Sequence, residues 1–335
     1  MSSINIRIEQ QQNFVADEVS ALIAVVRPIL QGLLFAIKND VINQAGGVEN
    51  LKLFMLPRVY RPGSGDCGIC FEYAVHDAIL RKEPSVVERI HDSLSRYCRV
   101  PGTDTASILF GAEKTGALQI IGNAGHFLTD ESRLLTGVQA QPPKLKQYIA
   151  DLTQAFRLRT YRDQLPSSIS GLWKADLFLG NRDTDKWVGT TVKINKSQLE
   201  GAPGLRIGIV PSRYGSGDLI EMDNSKNLVV CPLPYDGAFM EVFYSAWWIV
   251  KCFIDADAKV PRPESLPVGA HRMVAQLLEQ RREFSVLEVI NAIAPMAQPG
   301  LLSTHPIQAP TDVDYQTPSD VVNSLIAPQP FIFNS

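Results

Sequence analysis

KADLFLGNRDTDKWVGTTVKIN, residues 174–195, reads as two short apolar runs around a polar insert. The runs Ala175 to Leu179 and Val188 to Ile194 carry Leu, Phe, Val, Thr and Ile, and the insert GNRDTDK carries the residues that turns favour. That pattern specifies a β-hairpin. Side chains alternate along a strand, so Asp176 shares a face with Phe178, and Lys193 shares one with Thr191 and Gly189. A tight turn near Thr184-Asp185 sets Asp176 opposite Lys193; a register slipped by two sets it opposite Thr191. In both registers acid and lysine meet on one face. Leu177, Leu179, Thr190, Val192 and Ile194 make the other, apolar face, which can pack on a helix.

On the C-terminal side, Leu205 to Val210 and Leu228 to Leu233 have the same strand character, and FMEVFYSAWWIVKCFI (239–254) reads as a buried helix packed on the sheet. Helices are expected over His271 to Arg282 and near Val286 to Ile293. On the N-terminal side, helical spacing covers residues 14–44, 85–97 and 145–159, with a short strand at Leu118 to Ile121 and another expected at Leu51 to Leu56. The segment Cys70 to Arg81 places Phe71, Val75, Ala78 and Ile79 on one helical face and Glu72 with His76 on another. The expected domains are an N-terminal helical region, 1–60, an α/β domain, 61–295, and a Pro-rich tail, 296–335.

The chain has 335 residues, 45% of them apolar and 20% charged, with a formal net charge of -3, the composition of an ordinary globular protein. This balance does not announce a nucleic-acid binder, so any phosphate contact must come from a local basic surface. The run from Arg133 to Arg162, with Lys144, Lys146, Arg157 and Arg159, is one candidate, and a solvated helix face is its plainer meaning. Arg281-Arg282 is a second candidate. Five cysteines without a secreted-type framework suit a reducing cytoplasm and predict no disulfides. The apolar segment Ala21 to Ile37 contains Arg27, Pro28 and Gln31, which predicts a core or amphipathic helix kinked at Pro28 rather than a membrane span.

A carboxylate and an ammonium at adjacent strand ends suit phosphodiester hydrolysis. Carboxylates can hold a divalent ion that screens the phosphate and acidifies a water, and the ammonium can stabilise the charge that builds up. An Asp in a short apolar strand, a polar turn and an apolar strand ending in Val192-Lys193 resembles the PD-(D/E)xK superfamily of restriction-type nucleases. The upstream GICFEYAV, residues 68–75, is similar to the pattern in which members add a Glu from an earlier helix. The resemblance implies a restriction endonuclease-like α/β core, a mixed central β-sheet flanked by helices. It implies a cytoplasmic DNA endonuclease of restriction or antiviral defence, dependent on Mg2+ or Mn2+. It assigns metal binding to Asp176, water positioning or activation to Lys193, and a supporting ligand or base to Glu72. Two departures stand out: Lys174-Ala175-Asp176 replaces the usual Pro-Asp, and Thr191 occupies the place of a second acid. With one site per chain, double-strand cutting implies a homodimer, and a defence system implies a partner subunit.

Two other readings compete. Cys67 or Cys70 at a helix start, with His126 as base and Asp130 as orienter, vaguely resembles papain-like cysteine hydrolases. A zinc site would need more ligands than this CxxC provides, and His91 and Cys98 match no zinc spacing. An inactive nuclease-fold protein that only binds DNA or a partner is the third reading.

Overall fold

The computed structural model describes residues 2–59, 66–112, 118–120, 127–137, 142–164, 175–202, 204–212, 219–235 and 238–298. In chain order the elements are α1 (Ser2–Ala36), α2 (Asn39–Gln44), α3 (Leu56–Val59), α4 (Asp66–Leu80), α5 (Pro84–Asp92), β1 (Thr105–Ala112), β2 (Leu118–Ile120), β3 (Arg133–Leu135), α6 (Leu145–Arg157), α7 (Arg159–Arg162), β4 (Leu177–Asn181), β5 (Lys186–Val192), β6 (Arg206–Pro211), β7 (Glu221–Asp223), β8 (Leu228–Leu233), α8 (Ala238–Asp255), α9 (Gly269–Glu279) and α10 (Val286–Ile293). Two compact units result, residues 63–240, and residues 1–62 with 241–335.

The unit 63–240 is α/β. Its sheet runs β2-β1-β4-β5-β6-β8-β7, with β3 paired to β5 off this path. β5, β6 and β8 are parallel neighbours, whereas β1, β2, β4 and β7 pair antiparallel, so the sheet is mixed. β3 runs beside the first half of β5 and β6 beside the second, sharing one edge of that strand. One face carries Ala106, Ile108, Phe110, Phe178 and Trp187, covered by Leu145, Tyr148 and Ile149 of α6. The Phe178 ring meets Phe110 and Tyr148 edge-on, with centroids 5.5 and 5.9 Å away. Fully burying each such side chain contributes about 1.5–3 kcal/mol, which anchors the hairpin in one register. The alternate residues face α4, where His76 Nδ1 lies 3.0 Å from Ser107 Oγ. Leu177, Leu179, Thr190 and Val192 are buried on that second face, as their alternation requires.

The hairpin itself is tight. Asn181 pairs with Lys186, and Asp185 takes the left-handed conformation, φ 51°, that Asp tolerates better than most residues. Its carboxylate accepts hydrogen bonds from Thr129 Oγ1, Ser132 Oγ and Trp187 Nε1 at 2.5, 2.6 and 3.0 Å, which ties the turn to the approach of β3. Gly180 has no room for a side chain, because a Cβ there would run into the Lys186 carbonyl and the Trp187 ring.

The other unit is helical. α1 packs against α9 and α10, and Leu22, Val26, Ile29, Leu30 and Leu33 are fully buried. Asp17–Ala36 is long and apolar enough to cross a membrane, with mean hydropathy 1.9, yet 72% of that window is buried within the fold, as a core helix requires. α10 starts on a capping box in which Ser285 and Glu288 satisfy each other's backbone N–H groups. Three expectations meet a different arrangement. The strand expected at Leu51 to Leu56 is instead a 3-10 turn, Leu53–Met55, leading into α3, with an isolated bridge from Lys52 to Ser285. A single bridge offers no ladder to extend. The helix expected over 145–159 breaks at Leu158, whose backbone is extended. From Glu241 onward the apolar helix α8 groups with the helical unit, whereas residues 241–295 were expected in the α/β domain. An apolar helix demands burial without naming its partner. The expected tail falls, beyond residue 298, outside the described residues.

Candidate active site

Three distant pieces of chain meet at one end of the hairpin. Glu72 projects from the second turn of α4, Asp176 sits just before β4, and Lys193 just after β5. Lys193 Nζ donates to Asp176 Oδ2 at 2.8 Å and to Glu72 Oε1 at 3.3 Å. The same Asp176 oxygen accepts from Thr191 Oγ1 at 3.0 Å and from the Val192 N–H at 2.8 Å. Glu72, Asp176, Thr191 and Lys193 thus form one cluster.

Local backbone geometry explains how Asp176 reaches so many partners. Leu177 pairs with Thr190, and the Asp176 N–H donates to that same Thr190 carbonyl at 2.8 Å. The bond lies just past the last ladder pair and holds the Asp176 backbone against β5. Extending the ladder register by one residue brings Asp176 level with Thr191. The backbone is pinned on both sides, because the Asp176 carbonyl accepts from the Phe110 N–H at 2.8 Å and the Lys193 N–H donates to the Ile209 carbonyl at 2.9 Å.

The side chains are accessible but partly desolvated: Glu72 is 17%, Asp176 18% and Lys193 30% exposed. Burial alone would lower the Lys193 pKa. The Asp176 and Glu72 charges and hydrogen bonds outweigh it and hold the ammonium above the usual lysine value. Lys193 is therefore a cation at neutral pH. Among the described residues, Asp176 Oδ1 takes none of the hydrogen bonds that Oδ2 collects. The donor set is hard oxygen: two carboxylates, with one oxygen of Asp176 open. That fits Mg2+ or Mn2+ held by one or two carboxylates together with a substrate phosphate. It does not build an all-protein cage, since among the described residues no three His, Cys, Asp or Glu side chains gather as a metal-binding group.

No protein-family model, curated protein or solved structure matches this chain.

The thiol reading gains nothing from the geometry. Burial, reinforced by Asp66, pushes the Cys67 thiol up to about 12, and burial pushes Cys70 well above the usual range, so neither is a ready thiolate. His126 lies outside the described residues, and Asp130 pairs with Lys146 at 2.9 Å. Among the described residues no disulfide joins the five cysteines. In the basic run, Arg133 and Lys144 pair with Glu131 at 3.0 and 3.2 Å, so much of their charge is locally offset. The side chains of Arg157, Arg159 and Arg162 lie outside the described residues. Arg281 donates to the Leu277 carbonyl, and Arg282 pairs with Glu283 at 3.5 Å. Sequence reasoning missed Arg206, a buried arginine on β6 that feels the charge of Asp176. A charge inside the apolar run LRIGIV was the available signal, and only the pairing of β5 with β6 gives it a place.

Proposed function

We propose that the chain is a divalent-metal-dependent phosphodiesterase of the PD-(D/E)xK type that cleaves DNA, with a restriction endonuclease-like core. A cytoplasmic role in restriction or antiviral defence is the setting this resemblance implies. The observation that carries the reading is the convergence of Glu72, Asp176 and Lys193, with Glu72 and Lys193 121 residues apart in the chain. A partly desolvated cluster of charges of this kind is a functional-site candidate.

Glu72 and Asp176 are the residues that would hold Mg2+ or Mn2+. Such an ion screens the phosphate and lowers the pKa of a bound water. Lys193, a cation rather than a base, stabilises negative charge on the phosphoryl oxygens and orients the attacking water. Thr191 stands where a second acid is usual; its hydroxyl and the Val192 N–H fix the Asp176 carboxylate, while Glu72 supplies the second charge. Preset geometry of this kind saves the entropy of orienting groups during reaction. The position of Glu72 beside Lys193 favours an active enzyme over a nuclease-fold protein that only binds DNA. A two-fold homodimer would set two such sites on opposite strands.

Purified protein incubated with duplex and with single-stranded DNA in Mg2+, beside Asp176→Ala and Lys193→Ala, tests the reading. Metal-dependent cleavage lost in both variants supports it. Binding without cleavage under every condition favours the inactive relative.

A further inference from the structure

Arg206 opens β6 and is 3% exposed. Its backbone pairs with Gly189 on one side and Leu228 on the other, and Gly208 pairs with Thr191. Paired residues present their side chains on the same face, so Arg206 emerges on the face that carries Thr191 and, two residues on, Lys193. Gly189 leaves the adjoining position without a side chain. The guanidinium is held: Nη2 donates to the Glu200 carbonyl, while Nε is buried without a hydrogen-bond partner among the described residues. Burial lowers its pKa against the opposing pull of Glu200, Asp176 and Tyr148, and an arginine remains charged regardless. A buried cation with an unused donor is costly unless a nearby charge compensates it. Glu200 is the first such charge and Asp176 the second.

We propose that Arg206 is a positioning residue of this site, a fixed buried charge that offsets the Asp176 carboxylate, weakening divalent-cation binding until an anionic phosphoryl group joins. This rests on the reading of Glu72 and Asp176 as holders of a divalent cation. Lys193 lies between Glu72 and Asp176, and Arg206 is shared by Glu200 and Asp176, so Asp176 already faces two cations before any metal arrives. Free metal is then held loosely, and the phosphodiester supplies the negative charge that retains it. Metal and substrate binding become coupled through one guanidinium, which does not touch the substrate.

Mn2+ titration followed by electron paramagnetic resonance, without DNA, tests the assignment on the parent, Arg206→Gln and Arg206→Lys. Glutamine can still donate to the Glu200 carbonyl and lacks the charge; lysine keeps the charge. The expected result is Mn2+ binding about three- to tenfold tighter in Arg206→Gln and within about twofold of the parent in Arg206→Lys. Equal or weaker binding in a folded Arg206→Gln overturns the assignment, whereas a structural role alone would loosen the site. If the glutamine variant does not fold, Arg206→Met decides on the same criterion: tighter Mn2+ binding than in the parent supports the proposal, and equal or weaker binding overturns it. A parent that binds no Mn2+ even when a phosphorothioate DNA duplex is added overturns the metal reading as well, which separates the two failures.

Discussion

Thr191 donates its hydroxyl to Asp176 Oδ2 at 3.0 Å, the place where the proposed PD-(D/E)xK reading would put a second acid. Thr191→Asp would set three carboxylates around one ammonium. Its stability in EDTA is expected to fall by about 1–3 kcal/mol, because like charges then share a partly buried site. Mn2+ should restore it through binding to the folded state. Thermal melts with and without Mn2+ check this, and a variant as stable as the parent in EDTA contradicts it. His76 is a different kind of residue, 6% exposed against Ser107, with burial holding its pKa down to about 4. The unfolded chain takes up a proton near pH 6.5 that the folded chain refuses until about 4, so this contribution is complete above about 6.5 and is lost as pH falls toward 4. His76→Asn should therefore lose about 2 kcal/mol less stability than the parent between pH 7 and pH 5, measured by urea unfolding. His271, likewise pushed down to about 4 by burial, keeps part of the pH dependence in that variant. Asp176, Lys193 and Glu72 were legible in the sequence because each sits in a short pattern with its own strand or helix. Arg206 was not, because its meaning depends on which residue of β5 lies beside it.

The hairpin β4–β5 is the element on which the site is built, and two apolar runs around a turn-forming insert located it. Its ends lie within about two residues of the expected runs, as is usual for strand boundaries. The backbone hydrogen bond from Asp176 to Thr190, which fixes the strand end, could not be read, since it does not follow from residue type. β1 was equally hidden. Its sequence, TASILFGA, lies in the glycine-punctuated stretch 101–140, and it becomes a strand by pairing with β4. β3 and β7, three residues each, exist only through β5 and β8. Gly180→Ala tests the element directly. A methyl against the Lys186 carbonyl and Trp187 ring should cost about 1–3 kcal/mol and splay the strand ends that hold Asp176 and Lys193. The expected result is a lower denaturation midpoint together with reduced cleavage. An unchanged midpoint would mean that the hairpin is looser than its packing indicates.

At the scale of the chain, a mixed sheet flanked by helices was legible from the order of strand and helix patterns, whereas the grouping of residues 241–298 with α1 was not. Apolar periodicity identifies α8, α9 and α10 as buried helices, but the choice of partner depends on surfaces that no local pattern encodes. With a formal net charge of -3, the whole molecule does not attract nucleic acid by bulk charge, so the account rests on the local chemistry at Lys193. Cleavage of duplex DNA by the parent, Glu72→Ala, Asp176→Ala and Lys193→Ala, in Mg2+, Mn2+ and EDTA, is the direct measurement. The account predicts cleavage by the parent with either metal, none in EDTA, and a loss of about 100-fold or more in each variant. Cleavage in EDTA, or any of the three variants as active as the parent, would contradict it.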